Sequence, residues 1–219
     1  MLKTKLEKCK ISCAPLIADM RMKIGVMGGA TGKLQEAHLQ KAHQLGEEIA
    51  KSGSILITGA CPGLPLAAAC GAKKQGGMVV GISPGLSLDE HLNKYHSPTK
   101  FHDILIYTGS GLMGREVVNI RSSDIVVFIG GRSGTLGELA IAYDEGKLIG
   151  ILTGTGGISD LAKDILAACK KETGSRVIYS KDPKELITKV IKVYEEVHFK
   201  KPSHFEHKSV PIKKIRKIK

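Results

Sequence analysis

Two charged side chains and one run of glycines carry the chemistry this sequence could do. Gly130-Gly131-Arg132-Ser133-Gly134-Thr135 follows the apolar run Asp124 to Ile129 and precedes a helical pattern through Leu136, Leu139, Ala140 and Tyr143. Glycines let the backbone turn tightly with its N–H groups exposed, and a helix start adds unpaired N–H groups and the positive end of its dipole. An anion, most simply a phosphate, fits there, with a hydroxyl from Thr135 and a positive charge from Arg132 as further donors. Glu138 lies in the first turn of that helix. Arg115 comes one strand earlier, on a helical segment where Asn119 is four residues on and projects from the same face. A carboxylate beside a bound phosphate can stabilise oxocarbenium-like charge or position a water, as carboxylates do in glycoside hydrolysis. Plainer readings stand next to these. Thr135-x-x-Glu138 has the spacing of a capping box, Arg115 could pair with a surface carboxylate, and glycine turns occur in any parallel α/β protein.

The elements that must position these groups alternate strictly. Lys23 to Met27 reads as a strand entering Gly28-Gly29-Ala30-Thr31-Gly32, with a helix from Lys33 to Lys51. Ile55 to Thr58 is a second strand, followed by a glycine turn and an alanine-rich helix ending near Gly76. Met78 to Ile82, His102 to Tyr107, Asp124 to Ile129, Leu148 to Leu152 and Arg176 to Tyr179 supply five more strands, with helices between most of them. Asp182-Pro183 starts the last helix, which runs to about His198, in the expected cap and first-turn positions. The pattern predicts a single Rossmann-like domain over residues 23–198, a doubly wound parallel sheet of seven strands. An extension, 1–22, precedes it and a basic tail, 199–219, follows. The polar loop from Ser83 to Lys100, with His91, Asn93 and His96, reads as a flexible margin of the site.

Composition narrows the partners. A chain of 219 residues with 42% hydrophobic content can bury a full core, and the lack of tryptophan with 4% aromatics disfavours a base-stacking or sugar-stacking surface. The net charge of +12 is concentrated at the ends: residues 198–219 hold eight Lys/Arg against one Glu, and residues 1–23 six against two acids. The body is nearly neutral. Basic ends can touch nucleic acid or anionic lipid, but a solvated end is the commoner outcome. Of five cysteines, Cys9 and Cys13 could share a helical face, yet no second pair accompanies them, so neither a zinc site nor another metal is expected. A reduced, cytoplasmic setting is the default, and no apolar run is long enough to span a bilayer.

Met113-Gly114-Arg115, Asn119, Arg121, Asp124 and GGRSGTLGE together resemble the LONELY GUY cytokinin-activating phosphoribohydrolases, long called lysine decarboxylase-like proteins. Aligned on Asp124 and Gly134-Thr135, Arg115 and Glu138 fall without a gap on that family's catalytic arginine and glutamate. The resemblance implies hydrolysis of the N-glycosidic bond of a nucleoside 5′-monophosphate, releasing free base and ribose 5-phosphate, without metal or cofactor. Arg115 would orient the Glu138 carboxylate. Gly28, Gly29, Met113, Asn119 and the turn Gly130, Gly131, Arg132, Ser133, Gly134 and Thr135 would hold the substrate. It also implies a homodimer or larger assembly with the arginine helix near a subunit interface. Three departures mark a divergent branch: Ile129 replaces the proline before the paired glycines, Gly137 replaces the first of two glutamates, and Glu116 replaces the lysine after the arginine. They also suit a non-catalytic relative, since similar folds carry molybdenum cofactor or bind nucleotides.

Overall fold

The computed structural model describes residues 20–32 and 34–198. Within them the chain runs β1 (Lys23–Gly28), α1 (Glu36–Lys51), β2 (Ile55–Thr58), α2 (Leu64–Lys74), β3 (Val79–Ser83), β4 (Ile104–Tyr107), α3 (Gly111–Arg121), β5 (Ile125–Ile129), α4 (Ser133–Asp144), β6 (Leu148–Leu152), α5 (Gly157–Cys169), β7 (Arg176–Ser180) and α6 (Pro183–Val193). Single π-helical turns at Glu90–Lys94 and Tyr194–His198 complete the order. The seven strands form one parallel sheet, β4-β3-β2-β1-β5-β6-β7, as the alternation predicts.

Burial explains why the strands read so clearly in sequence. All five residues of β5 are buried, because helices cover both faces of the sheet and every side chain must be apolar. Leu45 and Ile49 of α1, Ala68 of α2 and Leu186 and Val190 of α6 pack against Ile24, Val26, Leu56 and Val127 on one face. Ile120 of α3, Leu139 of α4 and Ala162 of α5 pack against Met27, Val126, Phe128 and Ile151 on the other. A smaller cluster, Ile57, Val80 and Ile82, lies under Val118 of α3. Beyond it the same face thins: Ile104 and Ile106, in register with Val80 and Ile82, remain 43% and 46% exposed.

Element ends differ from the sequence reading in a few places. β4 starts at Ile104 rather than His102, because Asp103 turns its carboxylate onto the Val79 N–H (2.8 Å) and Lys73 (2.7 Å), and His102 bonds Thr58 across the sheet at 3.0 Å. α1 begins at Glu36. At α6 the expected cap is present, with Asp182 accepting the Glu185 N–H at 2.7 Å and Pro183 in the first turn. Cys9, Cys13 and the tail 199–219 lie outside the described residues.

Winding proceeds outward from β1 through β2, β3 and β4, then resumes on the other side of β1 with β5. That reversal opens a crevice beyond the C-terminal ends of β1 and β5, where Gly28 pairs with Ile129.

Candidate functional site

The crevice holds a cavity of about 750 Å³. Gly28 and Gly29 line it from β1, Arg115 from α3, and Arg132, Ser133, Gly134, Thr135 and Glu138 from the turn after β5 and the helix it starts. Arg132 is the extended N-cap of α4, and the first intrahelical bond runs from the Leu136 N–H to the Arg132 carbonyl at 2.9 Å. The N–H groups of Ser133, Gly134 and Thr135 therefore have no helical acceptor and sit at the positive end of the dipole. Gly131 has φ +98°, and a side chain there would collide with Thr135, so the turn needs glycine. At the cavity mouth the Arg132 guanidinium bonds the Thr31 hydroxyl, tying the loop after β1 to the loop after β5.

Glu138 is only 7% exposed. Burial pushes its carboxyl up to about 7, the Arg115 charge opposes that rise, and the neighbouring Glu116 adds to it. The capping-box arrangement does not form: α4 has no side-chain cap, and the Glu138 carboxylate accepts no backbone N–H. Arg115 is also buried, 8% exposed, and its Nε has no hydrogen-bond partner. It is no surface ion-pair residue. Among the described residues it forms no ion pair with Glu138, and its charge acts on the Glu138 carboxyl from within the same cavity. Its guanidinium lies against Gly59 at the end of β2, filling the place a side chain there would take.

Four expected ligand-binding residues do not line the cavity: Met113, Asn119, Gly130 and Gly131. Met113 points outward, 77% exposed, on the first turn of α3. Asn119 shares the buried face of Arg115, but one helical turn, about 5.4 Å, carries it below the cavity. There it is fully buried, with its amide nitrogen 3.0 Å from the Met27 sulfur and its Oδ1 without a partner. Gly130 does not offer its amide to a ligand: its N–H donates to Thr155 Oγ1 at 2.9 Å, while its carbonyl accepts the Ser159 N–H and hydroxyl, both at 3.1 Å. The Gly131 carbonyl accepts the Ile158 N–H at 3.1 Å, so this half of the turn is fastened to the loop after β6.

Other residues enter that sequence spacing did not select. Pro84, Lys94, Tyr95, His96 and Ser97 line the cavity from the loop between β3 and β4. That loop is held rather than loose, because fully buried His91 bonds Ser83 Oγ at 2.9 Å and the Pro98 carbonyl at 3.2 Å. Cys61 also lines the cavity, and burial raises its thiol to about 11, which keeps it protonated and unreactive. Glu116 lines it too, 8% exposed, with its carboxyl raised by burial against the lowering effect of Arg115. The described residues contain no cluster of three or more His, Cys, Asp or Glu able to hold a metal, and no helix long and apolar enough to cross a membrane.

The chain is similar to known proteins. A protein of Archaeoglobus fulgidus with no described function is 40% identical over 131 residues, covering 60% of this chain and 80% of that protein. The molybdenum cofactor binding protein of Rippkaea orientalis is 30% identical with a TM-score of 0.67, covering 81% of this chain and 99% of that one. The Moco carrier protein of Chlamydomonas reinhardtii is 30% identical with a TM-score of 0.66, covering 81% and 100%. The SLOG cluster4 family profile matches residues 21–187, a span that includes every element from β1 to the first half of α6 and all of the cavity lining. By that match the chain belongs to the SLOG cluster4 family, as a divergent relative of the LONELY GUY-type Rossmann proteins.

Proposed function

We propose that the protein is a nucleoside 5′-monophosphate phosphoribohydrolase, cleaving the bond between base and ribose C1′ to give free base and ribose 5-phosphate. The observation that carries this reading is Glu138: a buried carboxyl held up to about 7, facing the same cavity as the free amides of α4. A 5′-phosphate on the N–H groups of Ser133, Gly134 and Thr135, with Arg132 at the mouth, would fix the ribose beside Glu138. In its ionised form Glu138 stabilises positive charge developing at C1′, and in its protonated form it can assist departure of the base. Arg115 lines the same cavity, so its guanidinium can donate to the ribose or the departing base. Release of ribose 5-phosphate across a panel of nucleoside monophosphates is the test.

A second reading is a non-catalytic carrier of a nucleotide or of molybdenum cofactor. Two observations favour it: the 30% identity to proteins that bind or carry that cofactor, and a cavity of about 750 Å³, roomy for a mononucleotide. The same amides would take the phosphate of such a ligand. A carrier has no evident use for a buried carboxyl poised near neutrality, and for that reason we place hydrolysis first. Tight binding of a phosphorylated ligand with no ribose 5-phosphate from any nucleotide would select the carrier.

A further inference from the structure

Glu116 belongs to no surface ion pair and caps no helix. It is 8% exposed, lines the central cavity, and lies against α4 on the side that carries Glu138. One carboxylate oxygen is 3.5 Å from where a Cβ on Gly134 would stand, and the other is 3.3 Å from the same point on Gly137. Gly137 immediately precedes Glu138, and Gly134 is one turn before it, so the Glu116 carboxylate stands beside the stretch of α4 that carries Glu138 and acts on it as a like charge. Any residue larger than glycine at 137 would press on it. Where the resembling enzymes carry paired acids, α4 here has Gly137 before Glu138, and a second carboxylate lies against that position from α3.

We propose that Glu116 is a second catalytic carboxyl of this site, sharing one proton with Glu138 so that one group acts as acid while the other acts as base. Two desolvated carboxyls lining one cavity, with Glu116 acting on Glu138 as a like charge, do not both ionise easily, and the proton then belongs to the pair rather than to either member. The charged and titratable groups around the pair are Arg115 on α3 and Cys61 after β2, with Arg132, Lys94 and His96 also lining the cavity. Arg115 limits how far the pair is raised, and protonated Cys61 adds no charge. The chemical step rests on the hydrolase reading above. The C1′–N bond breaks, its electron pair goes to the base nitrogen, and the shared proton follows it. Water oxygen bonds to C1′, and a water proton returns to the ionised carboxyl, so the pair ends as it began.

The pair can be tested without activity. In ligand-free protein carrying carboxyl ¹³C labels, Glu116→Gln moves the Glu138 midpoint to lower pH, because a like charge has gone. Glu138→Gln moves the Glu116 midpoint to lower pH in turn. If either midpoint stays where it is in the unmodified chain, with the melting curve still cooperative, the pairing is overturned. Should one variant fail to fold, the reciprocal variant decides. With nucleotide as substrate, Glu116→Gln lowers turnover roughly 100-fold and removes one limb of the pH–rate profile. A protein that releases no ribose 5-phosphate from any nucleotide refutes the hydrolase reading, while the titration still confirms or refutes the pair.

Discussion

Arg115 and Gly59 compete for one volume. A Cβ built on Gly59 overlaps Arg115 Nη1 and stands 2.8 Å from Cζ. Gly59 does not have a left-handed backbone, so alanine there is tolerated by the main chain and only the end of a flexible side chain has to move. Gly59→Ala is therefore expected to reproduce the phenotype of Arg115→Ala, a loss of roughly 100-fold or more in turnover, with a melting temperature close to the original. Activity at the original level in Gly59→Ala would show that the guanidinium position is immaterial.

Glu138→Gln keeps the shape and removes the charge. Since Glu138 caps nothing, folding and nucleotide binding should persist while turnover falls by about 100-fold, equivalent to about 3 kcal/mol of transition-state stabilisation. Combining it with Arg115→Ala should cost little more than either change alone, because groups acting as one unit are not additive. Steady-state assay of ribose 5-phosphate release for the two single variants and the double variant checks both statements.

The same substitution has an opposite effect on stability, and its sign follows from the titration. The folded protein holds the Glu138 carboxyl at about 7, above its ordinary 4.5. Its contribution to stability is fully present below pH 4.5 and is lost as pH rises through 7. Glu138→Gln does not titrate, so it should be the more stable protein at pH 8, by up to about 3 kcal/mol, with the difference vanishing below pH 4.5. Thermal melts across that range test it, and a wild type whose stability is flat from pH 5 to 8 would contradict it.

Arg132 bonds the Thr31 hydroxyl at the cavity mouth, and a bound phosphate would offer it a charged acceptor. Arg132→Ala should weaken nucleotide monophosphate binding about tenfold, or about 1.4 kcal/mol, with little effect on the bare nucleoside. Calorimetric titration with both ligands separates the two. Equal loss for the nucleoside would place the phosphate away from α4.

A self-associating surface is expected where the sheet face thins at β4. Leu86, Leu112 and Met113 are 71%, 56% and 77% exposed, and Ile104 and Ile106 extend the buried Val80 and Ile82 outward. Apolar groups gathered on one side in this way mark an interaction face. Light scattering at micromolar concentration should return a dimer or larger species, and Ile106→Lys should return a monomer. A monomeric unmodified chain would remove the expectation.

How much of this was legible in the sequence depended on range. The central strand could be read because burial on both faces demands an unbroken apolar run, and the α6 cap because Asp182 and Glu185 are three residues apart. Arg115 and Glu138 are legible through the resemblance, which aligns both without a gap across the one strand between them. Periodicity put Asn119 on the correct face but gave no depth, and depth is what separates it from the cavity. The Gly130 amide looked free because its acceptor, Thr155, belongs to the next loop, 25 residues on. Glu116 and Gly59 owe their importance to neighbours on other elements, α4 and α3, which no local pattern records.

The bonds from Thr155, Ile158 and Ser159 to Gly130 and Gly131 act before any ligand arrives. They freeze the turn during folding, so the backbone freedom that a loose glycine loop would surrender on association has already been given up. On the function proposed above, phosphate capture would resemble docking onto a rigid surface, with an association rate governed by diffusion and charge rather than by loop closure. On that reading, selectivity among phosphorylated compounds would fall to the loop between β3 and β4, whose Tyr95, His96 and Ser97 line the cavity away from the anion seat. One scaffold can in this way exchange cargo or substrate while its anchor stays constant.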